Sequence, residues 1–284
     1  MATYRLGHTG ITWPGDQVEQ AVADVAALGY QGFETFPWTI ESYPGGVSAF
    51  KALLECHNIP LVSTYWSLSL IDPNQYDQDL EKVQRWIAIH RALGPRIIIL
   101  GASGRKKPTY SAEEYHRMVE RINDVGRRAL DAGLIVCFHP HTGTPVETRE
   151  EIDRVMGSVN PEVVFFAPDV GQIAKGGGDP VAVVRNYSSL IRHVHLKDFV
   201  GGKVEYDANG KEVDPTGYLG YVPLGMGVVD IPGILDVLDK ANFDGWLNVE
   251  LDGTPQAPRP PKEAAAISKR YIDRLLSTLG QHAD

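Results

Sequence analysis

The chain reads as a closed barrel of eight β-strands, each followed by a helix, with a long loop after the seventh strand and a C-terminal helix. Three observations predict this α/β architecture. Short apolar runs alternate with amphipathic stretches from one end of the sequence to the other. The amphipathic stretches are long enough to be helical crossovers, which calls for parallel strands. Eight such units fit within 284 residues, the usual size of a (β/α)8 barrel. An open doubly wound sheet is the alternative, but the first strand–helix turn, GHTGITWPGD, lacks a GxGxxG helix entry. A single domain spanning residues 1–284 is expected.

Each element has a local justification. The strands are expected at Tyr4–Thr9, Gly32–Phe36, Pro60–Trp66, Arg96–Gly101, Leu134–His139, Val163–Asp169, Ile191–Lys197 and Trp246–Leu251. Helical patterns lie at Asp16–Gly29, Asp77–Gly94, Ser111–Gly133 and Asp230–Phe243. Asp16, Asp77, Ser111, Thr148, Asp179 and Asp230 stand where N-caps belong, and Ser111 with Glu114 forms a capping box. Gly29, Gly94 and Gly133 stand at left-handed C-cap positions. Phe199–Val229, rich in Gly, Asp and Tyr, is too long for an ordinary βα loop and is either a lid or disordered. A proline-rich bend then leads into a final helix that closes the outer ring.

Composition excludes several classes. A formal charge of −9 leaves no basic footprint for nucleic acid, and the one basic cluster, Arg105-Lys106-Lys107, is short enough to be a solvated loop. No apolar run approaches eighteen residues, so no membrane partner is expected. MATYRLGHTG lacks a basic-then-apolar leader, and a soluble cytoplasmic protein is the expectation. Cys56 and Cys137 lie in apolar contexts without CxxC spacing, as buried free thiols would, although a disulfide stays open.

Chemistry in such a barrel sits at the C-terminal ends of the strands. The seventh ends HVHLKD, where period-two alternation puts His193, His195 and Lys197 on one face. An HxH alone is equally well a pair of hydrogen-bonded core histidines. The other strand ends decide the matter: FHPHTG supplies His139 and His141, APDVGQ supplies Asp169 and Gln172, and NVELDG supplies Glu250 and Asp252. His139, Asp169, His195 and Glu250 converge as an O/N ligand set for a divalent ion such as Mn2+, Co2+, Fe2+ or Zn2+. His193 reads as support. Lys197 either snorkels at the rim or serves as an acid/base or substrate contact. Glu34, buried on a short strand, needs a partner, either a substrate hydroxyl or a salt bridge. His8 ends the first strand, and Trp13, Trp38 and Trp66 resemble stacking walls for sugar rings, each with a core packing role as the alternative.

The strings HVHLKD, APDVGQ, FHPHTGT and DGWLNVELD, the last following VPLGMGVVDIPGIL, resemble the xylose-isomerase-like superfamily of sugar isomerases and epimerases. Within it the chain is most similar to the inosose dehydratase branch, and the likeness covers essentially the whole length. The resemblance implies metal-binding carboxylates at Asp169 and Glu250 and a metal-binding histidine at His195, with Mn2+ the expected ion and Mg2+ a further alternative. It also implies a homo-oligomer and a sugar or cyclitol substrate. The chain departs from the pattern twice. His139 stands where the isomerases carry a metal-bound glutamate, and Gln172 stands where a histidine is common.

With one glutamate base left, Glu250, and acids available in Lys197, His141 and Glu34, β-elimination from a keto-polyol or keto-sugar is the expected reaction. The expected substrate contacts are His8, Glu34, Trp38, Trp66, Gln172 and Lys197. The alternatives are a metal-dependent isomerase or epimerase and a non-catalytic sugar-binding or heteromeric barrel subunit. Endonuclease IV shares the barrel, but its zinc cluster and DNA-binding loops call for more histidines and basic loops than this acidic chain offers. No phosphate cradle is evident, which favours an unphosphorylated substrate.

Overall fold

The computed structural model describes residues 2–104, 107, 109–205, 207–208 and 212–281. Eight parallel strands form the barrel: β1 (Thr3–Thr9), β2 (Gly32–Thr35), β3 (Leu61–Leu68), β4 (Ile97–Ala102), β5 (Ile135–Phe138), β6 (Val164–Phe166), β7 (His193–Leu196) and β10 (Asp244–Val249). Their order is β6-β5-β4-β3-β2-β1-β10-β7. Parallel bridges Phe166↔Ile191 and Asp169↔His195 bring β6 back to β7 and close the ring. That closure makes Asp169 and His195 register partners, although 26 positions separate them in the chain (195 − 169).

Outside the strands lies a ring of helices whose apolar stripes face inward. Ser111 and Thr148 form full capping boxes with Glu114 and Glu151, and Asp179 and Asp230 cap their helices as expected. Two expected caps are corrected. The first helix, α1 (Val18–Ala27), starts after Gln17 rather than at Asp16, and Gln75 precedes α4 (Tyr76–Leu93). Asp77 instead lies in the first turn of α4, where its charge complements the helix dipole. Gly94 ends α4 at φ 93°, a conformation that any Cβ would strain. Cys137 is buried and Cys56 exposed, both as free thiols, which corrects the expectation that both are buried. No helix among the described residues is long and apolar enough to cross a membrane. Of the basic cluster, Arg105 and Lys106 lie outside the described residues; Lys107 is exposed and pairs with Glu114.

Past β7 the chain forms a two-stranded antiparallel ribbon, β8 (Asp198–Phe199) with β9 (Tyr221–Val222), that period counting gave no sign of. Asp198, the last residue of HVHLKD, is the clasp of this segment. Its carboxylate accepts the backbone N–H groups of Phe199, Gly225, Gly227 and Val229 at 2.9–3.1 Å. Asp214 gathers the N–H groups of Thr216, Gly217 and Gly220 in the same way. Tyr218, Tyr221 and Leu224 are buried beneath. The described part of Phe199–Val229 is therefore a packed cover rather than a disordered loop; residues 206 and 209–211 of it lie outside the described residues.

The barrel interior divides in two. Ile97 and Ile99 from β4, Ile135 and Cys137 from β5, and Phe165 and Ala167 from β6 pack with Tyr65 of β3 into an apolar arc. The opposite arc is polar and fully buried, with His193, His195 and Lys197 after it from β7, and Asn248 then Glu250 from β10. Glu34 of β2 completes it. A bulge at Phe33/Glu34 skips Val62 in the pairing with β3, and sets Ser63 beside Glu34 to donate a hydrogen bond to it.

Candidate active site

At the mouth of the polar arc the strand ends bring acids and bases into contact without intervening apolar atoms. His195 lies at the centre. Its Nε2 is 3.0 Å from Glu34 Oε1, and its Nδ1 is 2.8 Å from Glu250 Oε2. His193, one pleat deeper, places Nε2 3.2 Å from Glu34 Oε2, so Glu34 faces both rings of HxH. Lys197 extends into the same space: Nζ stands 2.6 Å from Glu250 Oε1, 2.6 Å from Asp252 Oδ2 and 3.6 Å from Asp169 Oδ2. The Tyr221 ring from the cover lies 4.4 Å from the same ammonium. Glu34 thus meets the expectation of a salt-bridge partner, and Lys197 does not snorkel to the rim.

Asp169 has two separate tasks. Oδ1 accepts the N–H groups of Gly171 and Gln172 at 2.9 Å each and caps the short helix α7 (Val170–Lys175). Oδ2 faces the cluster, buried and without a hydrogen-bond partner. His139 Nε2 is 4.0 Å from that oxygen, and His139 Nδ1 is likewise buried without a partner. Unpaired buried groups of this kind call for an explanation, an ion included.

Electrostatics fix the protonation states. Burial alone would raise Glu34 and Glu250. It is outweighed for Glu34 by His195 and His193, and for Glu250 by Lys197 and His195, and both carboxyls are held well below the usual range. Burial would lower His195 and Lys197, but Glu34 and Glu250 hold the first well up, and Asp252, Glu250 and Asp169 the second. Without an ion both are held in the charged form, and His195 would release its ring proton on taking up a metal. His139 goes the other way: burial, then the charge of His195, push it well below its ordinary value. It is a neutral imidazole, the form that ligates metal. Burial raises Asp169, against the pull of Lys197.

The donor set fits a divalent cation. Ligand atoms of His139, Asp169 and His195 lie within 4.8 Å of one another, two imidazole nitrogens and one carboxylate oxygen. Glu34, His193 and His195 form a second such group, in which Glu34 is held by Ser63 and His195 while the ring nitrogens of His193 lack a hydrogen-bond partner. Glu250, expected as the fourth ligand, adjoins the first group through His195 and Lys197 rather than within it.

The structure moves several expected contacts. His141 lines the cavity, but its ring is fixed: Nδ1 meets Thr142 O at 2.7 Å and Nε2 meets the Gln172 side-chain nitrogen at 2.8 Å. Gln172 Oε1 in turn accepts from Thr142 N–H and hydroxyl, so Gln172 and Thr142 hold the His141 ring in place. His8 and Trp66 are corrections. His8 points outward, edge-on to Trp13 and Tyr30 with centroids 5.4 and 4.9 Å away, because the interior parity of β1 runs through Gly7 and Thr9. Trp66 packs outward against Trp86 and His90 of α4, since Tyr65 takes the interior position. Trp13 is core, its indole N–H bonded to Asp24. Tyr65 and Tyr221 were missed. Strand parity could have found Tyr65, for which Gly101 opposite makes room. Nothing in a loop sequence marks Tyr221.

A closed parallel barrel with its polar side chains at the C-terminal mouth defines the class, and a xylose isomerase-like TIM barrel family model matches residues 22–275. The chain belongs to that family. It is 28% identical to the inosose dehydratase of Clostridium beijerinckii, over 94% of this chain and 96% of that one. The probable 3-DHS dehydratase AsbF of Bacillus anthracis superposes with a TM-score of 0.75 over 95% of this chain and 98% of its own, at 16% identity. The IolI protein, solved with a bound zinc atom, gives 0.75 over 96% and 98%, at 15% identity. At those identities the two structures speak for the fold alone.

Proposed function

We propose that the protein is a divalent-metal-dependent lyase that removes water from an unphosphorylated keto-polyol or keto-sugar, as an inosose dehydratase does. The observation that carries this reading is the Lys197–Glu250 pair, a charged acid and a charged base 2.6 Å apart beside a cluster of ligand-type atoms. His139, Asp169 and His195 would hold the ion, which supplies polarisation of the substrate carbonyl and so acidifies the neighbouring C–H. Mn2+ is the ion proposed, in a cytoplasmic homo-oligomer whose whole chain is one domain.

The residues perform the rest. Glu250, ionised, takes the proton α to the carbonyl. Lys197, protonated, gives a proton to the hydroxyl on the next carbon, which departs as water while the C–H electron pair becomes the new C=C bond. Glu250 is then a carboxylic acid and Lys197 an amine, still in hydrogen-bond contact. One proton transfer between them restores both, so elimination needs no outside proton. A two-base epimerisation is less well served, because His139 stands across the cluster and the second glutamate, Glu34, is engaged by Ser63 and His195. Lys197, the lysine at the cluster, is already paired with Glu250, Asp252 and Asp169, and no other lysine or arginine lines the cavity, consistent with a substrate lacking phosphate.

Incubation of Mn2+-loaded protein with keto-inositols should generate the ultraviolet absorbance of a conjugated enone, lost on chelation and restored by added metal. Stereoisomers or an aldose/ketose pair without absorbance would replace this reading with the isomerase. A metal-free protein indifferent to chelation would replace it with a binding module.

A further inference from the structure

The cavity above the cluster is small, about 80 Å³, whereas a cavity of roughly 150 Å³ is what one benzene ring fills. Beside it lies a much larger groove of about 770 Å³, formed by the turns after β1 and β2, and the two share Gly10, Ile11, Thr35 and Phe36. An aromatic wall joins them. Trp38 stacks on Phe36 with centroids 4.6 Å apart and planes 12° apart; Phe36 meets Tyr65 edge-on at 6.1 Å; Tyr65 meets His139 edge-on at 5.4 Å. Phe36 is therefore the hinge between the reacting site and the groove. Trp38 is 42% exposed, and it is one of only seven large hydrophobic side chains left exposed among the described residues. The other six, Val200, Val213, Leu219, Met226 and Val228 on the cover and Leu130 on its helix, line no part of this groove.

We propose that this groove is a second subsite, and that the substrate carries a second ring which lies along Phe36 and Trp38 while only the carbonyl edge of its keto-ring enters the cavity over the cluster. The substrate class is then a ring-bearing keto-glycoside rather than a free cyclitol. This rests on the cavity being the reaction site. Two facts favour a substrate group over a protein partner in the groove: it shares Gly10, Ile11, Thr35 and Phe36 with the cavity, and the aromatic wall runs from Trp38 through Phe36 and Tyr65 to His139. A stacked ring–indole contact changes affinity by up to about tenfold.

The test is calorimetric titration of the full, metal-loaded chain with methyl β-glucoside and phenyl β-glucoside, unoxidised probes that do not react. Phenyl glucoside should bind about tenfold tighter than methyl glucoside. Trp38→Ala should collapse that ratio to within about twofold of unity, and Trp38→Phe should retain most of it. A ratio near unity in the wild type, failure of either probe to bind, or a preference that survives Trp38→Ala overturns the subsite. So does a change in subunit number by light scattering in Trp38→Ala, because the groove would then seat a second copy. Enone formation from a free keto-inositol is read separately. Turnover with a flat ratio removes only the subsite, and a Trp38-dependent ratio without turnover removes only the elimination.

Discussion

The two arcs of the barrel interior are built from the same strand geometry and serve opposite purposes. The β4–β6 arc packs buried Ile99, Cys137 and Ala167 with partly buried Ile97, Ile135 and Phe165 and needs nothing but shape. The arc from β7 through β10 to β2 buries His193, His195, Lys197, Asn248, Glu250 and Glu34, each of which would be costly to bury alone. Charge pairing makes that burial tolerable for the ionisable groups and favours which is acid and which is base, whereas the Asn248 amide is buried without a hydrogen-bond partner. Buried ion clusters of this kind seldom raise stability over an apolar core, which agrees with the catalytic use proposed for this one.

The sharpest way to break this comparison is to alter one residue in each arc. Glu250→Gln should lower turnover by about a thousandfold, whereas Ile99→Val should cost about 1 kcal/mol of stability and leave turnover and metal content unchanged. Steady-state kinetics and metal analysis of both variants would decide; equal losses in the two would erase the division. Next in size is Lys197→Met, which strands three carboxylates. In metal-free protein it should reduce the unfolding free energy by about 3–5 kcal/mol, measured by urea denaturation, and a neutral result would mean the cluster is not held by charge.

Histidines on the helix-facing side sharpen the contrast from outside. Burial holds His8 and His90 at about 4, against backbone hydrogen bonds that oppose it. Folded protein therefore refuses protons that the unfolded chain accepts below about pH 6.5. Their contribution is fully present above pH 6.5 and is lost as the pH falls towards 4, at up to about 1.4 kcal/mol per unit for each histidine. Denaturation midpoints between pH 7 and 4 should show that slope, and His90→Gln should make it shallower. The smallest expected effect is in the cover. Asp198→Asn turns an amide donor towards backbone N–H groups, at about 1–3 kcal/mol, and should speed proteolysis within residues 199–229. An unchanged cleavage rate would mean the Asp198 clasp does not hold the cover.

Why the polar arc could be read from the sequence, and parts of the site could not, follows from period two. IIIL, LIVCF and VVFF are apolar at every position, as strands buried on both faces usually are. HVHLK and WLNVEL alternate although their strands are equally buried, and that mismatch marked His195, Lys197 and Glu250. Parity went astray where it was not followed strictly: His8 sits one place off the interior set of β1, and Trp66 one place beyond Tyr65. A bulge on β3 at Val62 offsets the pairing with β2, and one sequence cannot show it. Tyr221 and the Asp198 clasp depend on a long loop folding back, which has no period at all. The groove beside Trp38 depends on how two turns pack, so the three tryptophans suggested stacking without showing that Trp38 stands outside the reacting cavity.

The central claim is that Glu250 and Lys197 carry out an elimination, and it has one direct measurement. Wild type and Glu250→Gln, loaded with the same amount of Mn2+, are each mixed with a keto-inositol, and enone absorbance is followed alongside loss of the ketone. The account predicts absorbance that rises in step with ketone loss in the wild type and is flat in Glu250→Gln. Ketone converted to a stereoisomer without absorbance, or an undiminished rise in Glu250→Gln, would contradict it.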